Sequence, residues 1–277
     1  MQRPPIDVTF WGVRGSAPRS GASFNHFGGA TSCVSLACDR QLVILDAGSG
    51  LYDLSMSEVY SDFMRIDVCL SHGHLDHVMG LPYLWALWQE NPHLEVHCAK
   101  TTFPEGGRPF LENQLIKPPL FPLDYKQQSQ GVDYHDFAPG DSWQRGVFGF
   151  KTCALHHPGG ATGYKVTVDH KSIAYLTDHA PFEDRLQTEA LIDFVANADL
   201  LIVDATFSPE RYEARRQWGH SSWVQALHLG VAARAKRIAL YHHDPDHTDD
   251  NLRRIEAEAQ HQDRRCFLAR QGQKLLL

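Results

Sequence analysis

The stretch Ser71-His72-Gly73-His74-Leu75-Asp76-His77 directly follows an apolar run that is predicted as a strand. In an extended loop, His72 and His74 lie on the same side and can converge on one ion. Asp76 and His77 come where the chain turns into the next predicted helix, so they can bind a second ion nearby. Imidazole and carboxylate ligands suit zinc, manganese or iron better than calcium. The stretch therefore predicts a site for divalent metal ions at the end of a strand.

The rest of the chain alternates short strands with helices. Strands dominate the start of each half and helices follow, which predicts an α/β fold of four layers, αββα, with two mixed β-sheets face to face and helices outside. The absence of a linker or low-complexity segment predicts one domain over residues 1–277. The predicted strands cover 7–10, 32–38, 42–45, 65–70, 94–98, 147–155, 164–168, 172–176, 200–203 and 237–241, and the predicted helices cover 78–90, 182–197, 221–233 and 249–262.

A segment at about 101–130 differs in character, because five prolines break its periodicity and aromatic residues are interspersed. A long irregular segment inside a compact domain is usually functional or mobile. We interpret it as a Pro/aromatic-rich insertion that covers a pocket, and a surface insertion without function is an equal alternative.

Composition excludes several classes of protein. The 277 residues include 26 Lys+Arg and 33 Asp+Glu, and the net charge of -7 argues against nonspecific binding to nucleic acid or anionic lipid. The six cysteines form no C-x-x-C pair, as expected for small buried residues in a reducing cytosol. No apolar run reaches the roughly 18 residues of a membrane helix, so we expect a cytoplasmic protein without a membrane span.

The His72–His77 stretch matches the H-x-H-x-D-H signature and resembles the metallo-β-lactamase fold hydrolases. The resemblance implies a binuclear site closed by a later histidine, a bridging aspartate and a last histidine. His157 precedes Gly163-Tyr164 at the spacing of the ribonuclease Z-like branch and is preferred to His156. The implied ligands are His72, His74 and His157 for one metal, and Asp76, His77 and His242 for the other, with Asp178 between them.

Gly219-His220-Ser221 opens a predicted helix and resembles a motif of ribonuclease Z-like phosphodiesterases. The resemblance makes His220 a general acid or phosphate contact, and with Asp76 it forms the predicted catalytic pair. The alternative is a helix N-cap at Ser221 or Ser222 with His220 merely adjacent. Asp204 matches a strand-end acid of the same branch and is expected to hold His220 or a metal ligand in place.

The glycine-rich opening, residues 10–18, is similar to that of bacterial cyclic-nucleotide-phosphodiesterase-like members, and the resemblance extends from about Val8 to Asn251. Arg14 either contacts a substrate phosphate or lies in solvent. Three histidines next to implied ligands, namely His156, His179 and His243, are expected to support the ligands by hydrogen bonds or to be exposed, because neighbouring strand residues point to opposite faces.

These features predict a metal-dependent hydrolase with two divalent ions, zinc first and manganese or iron as alternatives. Such ions activate water and stabilise both oxygens of an in-line displacement. A small phosphodiester such as a cyclic nucleotide is the expected substrate, because the charges of the 101–130 segment nearly cancel and the chain is acidic. The alternatives are ribonuclease Z-like RNA processing, hydrolysis of a lactone or thioester, and a nucleotide sensor without turnover. Many members of this family are dimers, so a homodimer is open.

Overall fold

The computed structural model describes residues 5–57, 63–84, 93–128 and 131–277. In chain order its strands are β1 (Asp7–Gly12), β2 (Cys33–Cys38), β3 (Gln41–Leu45), β4 (Arg65–Cys69), β5 (Leu94–Ala99), β6 (Val132–Phe137), β7 (Ser142–Arg145), β8 (Phe148–Leu155), β9 (Ala161–Val168), β10 (Lys171–Leu176), β11 (Leu200–Asp204), β12 (Ile238–Tyr241), β13 (Cys266–Leu268) and β14 (Lys274–Leu276). The helices are α1 (Leu51–Ser55), α2 (Leu75–Val78), α3 (Gly107–Phe110), α4 (Tyr125–Gln128), α5 (Arg185–Val195), α6 (Pro209–Arg215), α7 (Trp223–Ala232) and α8 (Asp249–Gln262).

The strands form two seven-stranded sheets with the orders β14-β1-β2-β3-β4-β5-β6 and β13-β12-β11-β10-β9-β8-β7. Each sheet is mixed. The strands from β3 to β6 are parallel in the first sheet, and those from β10 to β13 are parallel in the second. A hairpin turn at Asp39 and Arg40 joins β2 to β3, and both residues have the positive φ that suits a tight two-residue turn.

Hydrophobic side chains define the four layers. Residues of both sheets, such as Val34 and Ile202, bury one another between the sheets. The apolar faces of α5, α7 and α8 cover the outer face of the second sheet, and α1 packs on the outer face of the first. The predicted αββα fold of two mixed sheets is therefore confirmed.

Most element predictions agree with the structure, and α8 agrees to the residue. Of the helix predicted over 78–90, only its start in α2 and a 3-10 turn at Leu81–Tyr83 are observed, and 85–90 lie outside the described residues. The prediction missed four strands and four short helices, namely β6, β7, β13, β14, α1, α3, α4 and α6. β6 was missed because it is mostly polar, and the other three strands because they span only three or four residues.

The cysteines and the helix lengths can also be compared with the sequence expectations. All six cysteines are free, and all but the half-buried Cys153 are buried. Among the described residues, no helix has both the length and the apolar character needed to cross a bilayer.

Candidate metal centre and active site

Four of the predicted site residues lie where parallel strands of the two sheets end. His72 follows β4, Asp178 follows β10, Asp204 ends β11 and His242 follows β12. Side chains at the carboxyl ends of parallel strands meet at one edge of a sheet, which is where α/β proteins place their ligands. Because the two sheets pack face to face, these ends bring distant parts of the chain together.

Four of the predicted ligands form one cluster, the His72 group, which consists of His72, His74, His157 and Asp178. One ligand atom from each lies within 4.8 Å of the others. Nε2 of His157 is 3.1 Å from Nδ1 of His74 and 3.6 Å from Oδ1 of Asp178. Nε2 of His72 is 3.8 Å from the same Asp178 oxygen.

The other three predicted ligands form the Asp76 group, which consists of Asp76, His77 and His242 and is equally compact. Nε2 of His77 is 3.2 Å from Oδ2 of Asp76, and Nε2 of His242 is 3.3 Å from that oxygen. Oδ2 of Asp178 is 3.0 Å from His77 and 3.2 Å from His242. Asp178 thus directs one oxygen to each group, as a bridging carboxylate would.

The backbone at the site is unusual at two of these positions. Asp178 has a φ of 54° and His242 a φ of 60°, in the left-handed region that non-glycine residues rarely adopt. Such strain concentrates at functional sites. Gly15 makes room for the imidazole of His242, because a Cβ on Gly15 would lie 2.4 Å from that ring.

Asp46 is a residue of the site that the sequence analysis did not identify. It is fully buried, and it accepts hydrogen bonds from the amide and hydroxyl of Ser71, from Tyr175 and from Nδ1 of His77, the last at 2.7 Å. A carboxylate behind a histidine fixes its orientation and tautomer. Its position at the end of β3, ahead of a glycine-rich turn, was the available signal.

The electrostatics of the His72 group fit a divalent cation, whereas in the Asp76 group the carboxylates of Asp178, Asp76 and Asp46 outweigh burial and raise the pKa of His77 well above its usual range. Burial and the neighbouring His77 hold the pKa of His72 well below its usual range, and burial also lowers the pKa of His157. Burial would raise the pKa of Asp178, but His242, His77 and His72 hold it well below the usual range. Neutral imidazoles and ionised carboxylates are the forms that bind metal.

Two further observations indicate that these residues suit a bound cation. Nε2 of His72 is buried without a hydrogen-bond partner among the described residues. In that part of the chain, the ion-pair partners of Asp46, Asp76 and Asp178 are all histidines. Buried carboxylates need a compensating cation, and bound metal would supply it.

His220 stands beside both groups. Its Nδ1 is 2.7 Å from Oδ2 of Asp204, and its ring stacks on that of His242 with centroids 5.0 Å apart. Burial lowers the pKa of His220, but Asp204 more than offsets this effect, and the pKa rises to about 9. The N-cap of α7 is Ser222, so capping and the His220–Asp204 contact occur together.

The neighbouring histidines have other partners. His156 is exposed and contacts the carbonyl of Pro181, while buried His179 accepts from the amide of His156 and lies outside both groups. His243 is buried, and its Nε2 contacts the carbonyl of Ala269. His156 is thus exposed as expected, whereas His179 and His243 are buried and their ring nitrogens contact the amide of His156 and the carbonyl of Ala269 rather than an implied ligand.

Neither expectation for Arg14 was right. The side chain is fully buried and donates to the carbonyl oxygens of Gly28, Asp244 and His247. It therefore neither lies in solvent nor presents itself to a phosphate. Instead it fastens the N-terminal loop to the turn that follows His242.

The 101–130 segment covers a cavity beside the His72 group, over the part that the structure describes. The cavity measures about 410 Å³ and is lined by His72, His74, Phe103 and Phe110, among others. The two phenylalanine rings meet edge to face at 4.9 Å. This placement agrees with an irregular cover near a pocket, and residues 129–130 lie outside the described residues.

This arrangement, with strand-end histidines and carboxylates between two mixed sheets, is that of a metallo-hydrolase. The model of the Beta-lactamase superfamily domain matches residues 42–243, and the chain belongs to this family.

Individual proteins are similar over nearly the whole chain. Ribonuclease Z of Bradyrhizobium sp. (strain ORS 278) is 24% identical over 89% of this chain and 92% of that protein. The metallo-beta-lactamase fold protein YhfI of Bacillus subtilis has a TM-score of 0.76 at 20% identity, with 99% of this chain and 100% of that chain covered. Human tRNase Z, short form, has a TM-score of 0.71 at 21% identity, with 97% and 98% covered. These structures share the fold.

Proposed function

We propose that the chain is a metal-dependent phosphodiesterase with two divalent ions and a small phosphodiester, such as a cyclic nucleotide, as its substrate. The observation that carries the proposal is the contact between His220 and Asp204 beside the two ligand groups. A buried histidine held by a carboxylate is suited to general acid catalysis at an ester oxygen.

The His72 group would hold one ion and the Asp76 group the other, with Asp178 between them. Zinc is the first choice for histidine-rich ligands, with manganese or iron as alternatives. When bound, two such ions supply a nucleophilic water at neutral pH and stabilise negative charge on a phosphate.

Residues of the chain itself would supply the proton for the leaving group. Nδ1 of His220 faces Asp204, so Nε2 is the nitrogen that remains to donate a proton to the leaving oxygen. Asp204 fixes the ring and favours its charged form. Asp76, the other predicted catalytic residue, accepts a 2.7 Å hydrogen bond from the amide of Ser16, which holds its carboxylate toward the ligand groups.

A small substrate fits the cavity and the charge. About 410 Å³ is within the range of small-molecule sites, and Phe110 is half-buried in its wall, where an aromatic base could stack. The net charge of -7 disfavours a long polyanion away from the metals.

Ribonuclease Z-like RNA processing is the second candidate. It is favoured by the similarity to Ribonuclease Z over 89% of this chain. An RNA substrate would need basic surface beyond the site, and in the described insertion Arg108 is 3.5 Å from the Glu112 carboxylate, which offsets its charge.

A panel assay on metal-reconstituted protein tests the proposal. It includes a chromogenic phosphodiester, cyclic mono- and dinucleotides, a precursor transfer RNA, an ester, a lactone and a thioester. We expect turnover of small phosphodiesters. Turnover of carboxylic substrates alone would contradict it, preference for the RNA would favour the second candidate, and metal without any turnover would favour a nucleotide sensor.

The substitution His220→Ala tests the assigned role directly. It should leave metal content unchanged and lower kcat on the phosphodiester about 100-fold or more, because the proton donor is lost. His261→Ala, at an exposed position in the last turn of α8, is the control and should leave both unchanged. Loss of metal in His220→Ala would make His220 a ligand instead.

A further inference from the structure

A second cluster of histidine and carboxylate side chains lies within the first sheet. Glu95 and His97 are on β5, and His135 is on β6 directly beside His97 in the parallel register. Residues two apart on a strand share a face, so all three side chains lie on the same face of the sheet. One ligand atom from each lies within 4.8 Å of the others. We call these three residues the sheet-edge group, because β6 is the last strand of its sheet.

His97 is the buried centre of the sheet-edge group. It is fully buried, and its Nε2 is 2.9 Å from Oδ1 of Asp67. Its Nδ1 is also buried and has no hydrogen-bond partner among the described residues. A carboxylate behind one ring nitrogen is the arrangement that orients metal-binding histidines, and an unpartnered buried nitrogen costs free energy. Nδ1 is therefore the nitrogen left to bind a ligand.

Aromatic side chains enclose the two imidazoles. The ring of Trp143 stacks on His97 with centroids 5.3 Å apart and meets His135 at 4.6 Å, and Phe150 stacks on His97 from the second sheet. Burial and the nearby His97 lower the pKa of His135, although the carboxylates of Glu95, Asp141 and Asp136 act in the opposite direction. The surroundings of His135 thus favour its neutral imidazole, which is the ligand form.

The charges of this region leave a negative excess. Nε of Arg145 is 2.6 Å from Oδ1 of Asp67, and its Nη1 is 2.6 Å from Oε2 of Glu95. One guanidinium faces two carboxylates, so with neutral histidines one negative charge remains uncompensated. The other oxygen of Glu95 stays available to a cation.

We propose that Glu95, His97 and His135 form a further binding site for a divalent cation of the zinc class, separate from the phosphodiesterase site. Two histidines and a glutamate are a ligand set that zinc accepts, with a fourth position left to water. Arg145 is on β7, the last strand of the second sheet, and it contacts the Glu95 carboxylate of this group. The bound ion would link β5 to β6 beside this contact between the two sheets.

Equilibrium dialysis of chelator-stripped protein against micromolar free zinc, followed by elemental analysis, tests this site. The comparison is between the unmodified chain and His135→Asn, which changes a half-buried side chain and should fold. We expect the variant to bind one zinc ion fewer per chain while its phosphodiester turnover stays unchanged. The difference between the two proteins decides the question, so it does not depend on how many ions the strand-end site holds.

The control is His170→Asn, the same change at an exposed histidine in the turn between β9 and β10, and it should bind as much zinc as the unmodified chain. Thermal unfolding gives a second measurement, because an ion that binds only the folded protein raises Tm. His135→Asn should lose part of the zinc-dependent rise in Tm. Equal zinc content in the unmodified chain and His135→Asn would overturn the proposal, whatever the phosphodiesterase assay shows.

Discussion

The strand-end groups and the sheet-edge group use the same side chains in different places. The ligands around Asp178 lie on loops after parallel strands, and His74 reaches the 410 Å³ cavity. His97 instead lies within the β5 ladder and is fully buried. Arg145 neutralises part of the charge at the sheet edge, whereas the ion-pair partners of Asp178 within the described residues are all histidines. Position on a strand, rather than the type of ligand, therefore decides whether a substrate can reach such a cluster.

Gly15→Ala should have the largest effect on turnover, because it disturbs the Asp76 group directly. It should leave the sheet-edge group unchanged. The new Cβ would lie 2.4 Å from the imidazole of His242, so the ring must move away from Asp76. We expect elemental analysis to show loss of the ion in the Asp76 group. Turnover should fall about 100-fold or more, since the proposed mechanism needs both ions at the phosphate.

The matched control is Gly73→Ala, where the nearest atom to a new Cβ is 3.3 Å away in the Phe103 ring. Gly73 lies in the wall of the cavity and outside both ligand groups, so metal content should stay unchanged. Full metal content in Gly15→Ala would show that the N-terminal loop does not position His242.

Much of the strand-end site was predictable because four of its residues fall within six positions of the sequence and the family resemblance implied the other three. Four ligands follow β4 directly, and the histidines and aspartate after β8, β10 and β12 each follow an apolar strand. The sheet-edge group was not predicted, because only Glu95 and His97 share a strand and β6, which carries His135, was not recognised. The left-handed backbone at Asp178 and His242 was equally unpredictable, since it results from tertiary packing.

Asp46→Asn should lower the affinity for zinc, with an effect smaller than that of Gly15→Ala. The amide keeps the shape but cannot accept from all four donors that Asp46 serves, so His77 loses its fixed orientation. Loss of such a carboxylate lowers metal affinity about 10- to 100-fold. A zinc titration against a competing chelator measures the change.

Asp39→Asn is the control, because Asp39 also has a positive φ but is exposed in the β2–β3 turn. Its zinc affinity should equal that of the unmodified chain. If the zinc affinity of Asp46→Asn is unchanged, the Asp46 carboxylate serves to hold Ser71 and Tyr175 in place and does not tune the metal site through His77.

Arg145→Met should leave the strand-end site intact and affect stability alone. It removes the guanidinium from Asp67, whose side chain is fully buried, and from Glu95. Breaking a buried ion pair leaves an uncompensated charge and costs about 3 kcal/mol. Urea unfolding of zinc-free protein should show this loss, with phosphodiester turnover unchanged under native conditions.

The same change at an exposed pair calibrates that result. Arg253 bonds Asp250 within α8, and both side chains are more than half exposed, at 51% and 84%. Arg253→Met should therefore cost less than about 1 kcal/mol. Zinc should restore part of the stability of Arg145→Met, because the extra negative charge at Glu95 strengthens cation binding. If Arg145→Met is as stable as Arg253→Met, the ion pairs of Arg145 with Asp67 and Glu95 do not stabilise the fold. The difference in charge compensation between the strand-end groups and the sheet-edge group would then have no effect on stability.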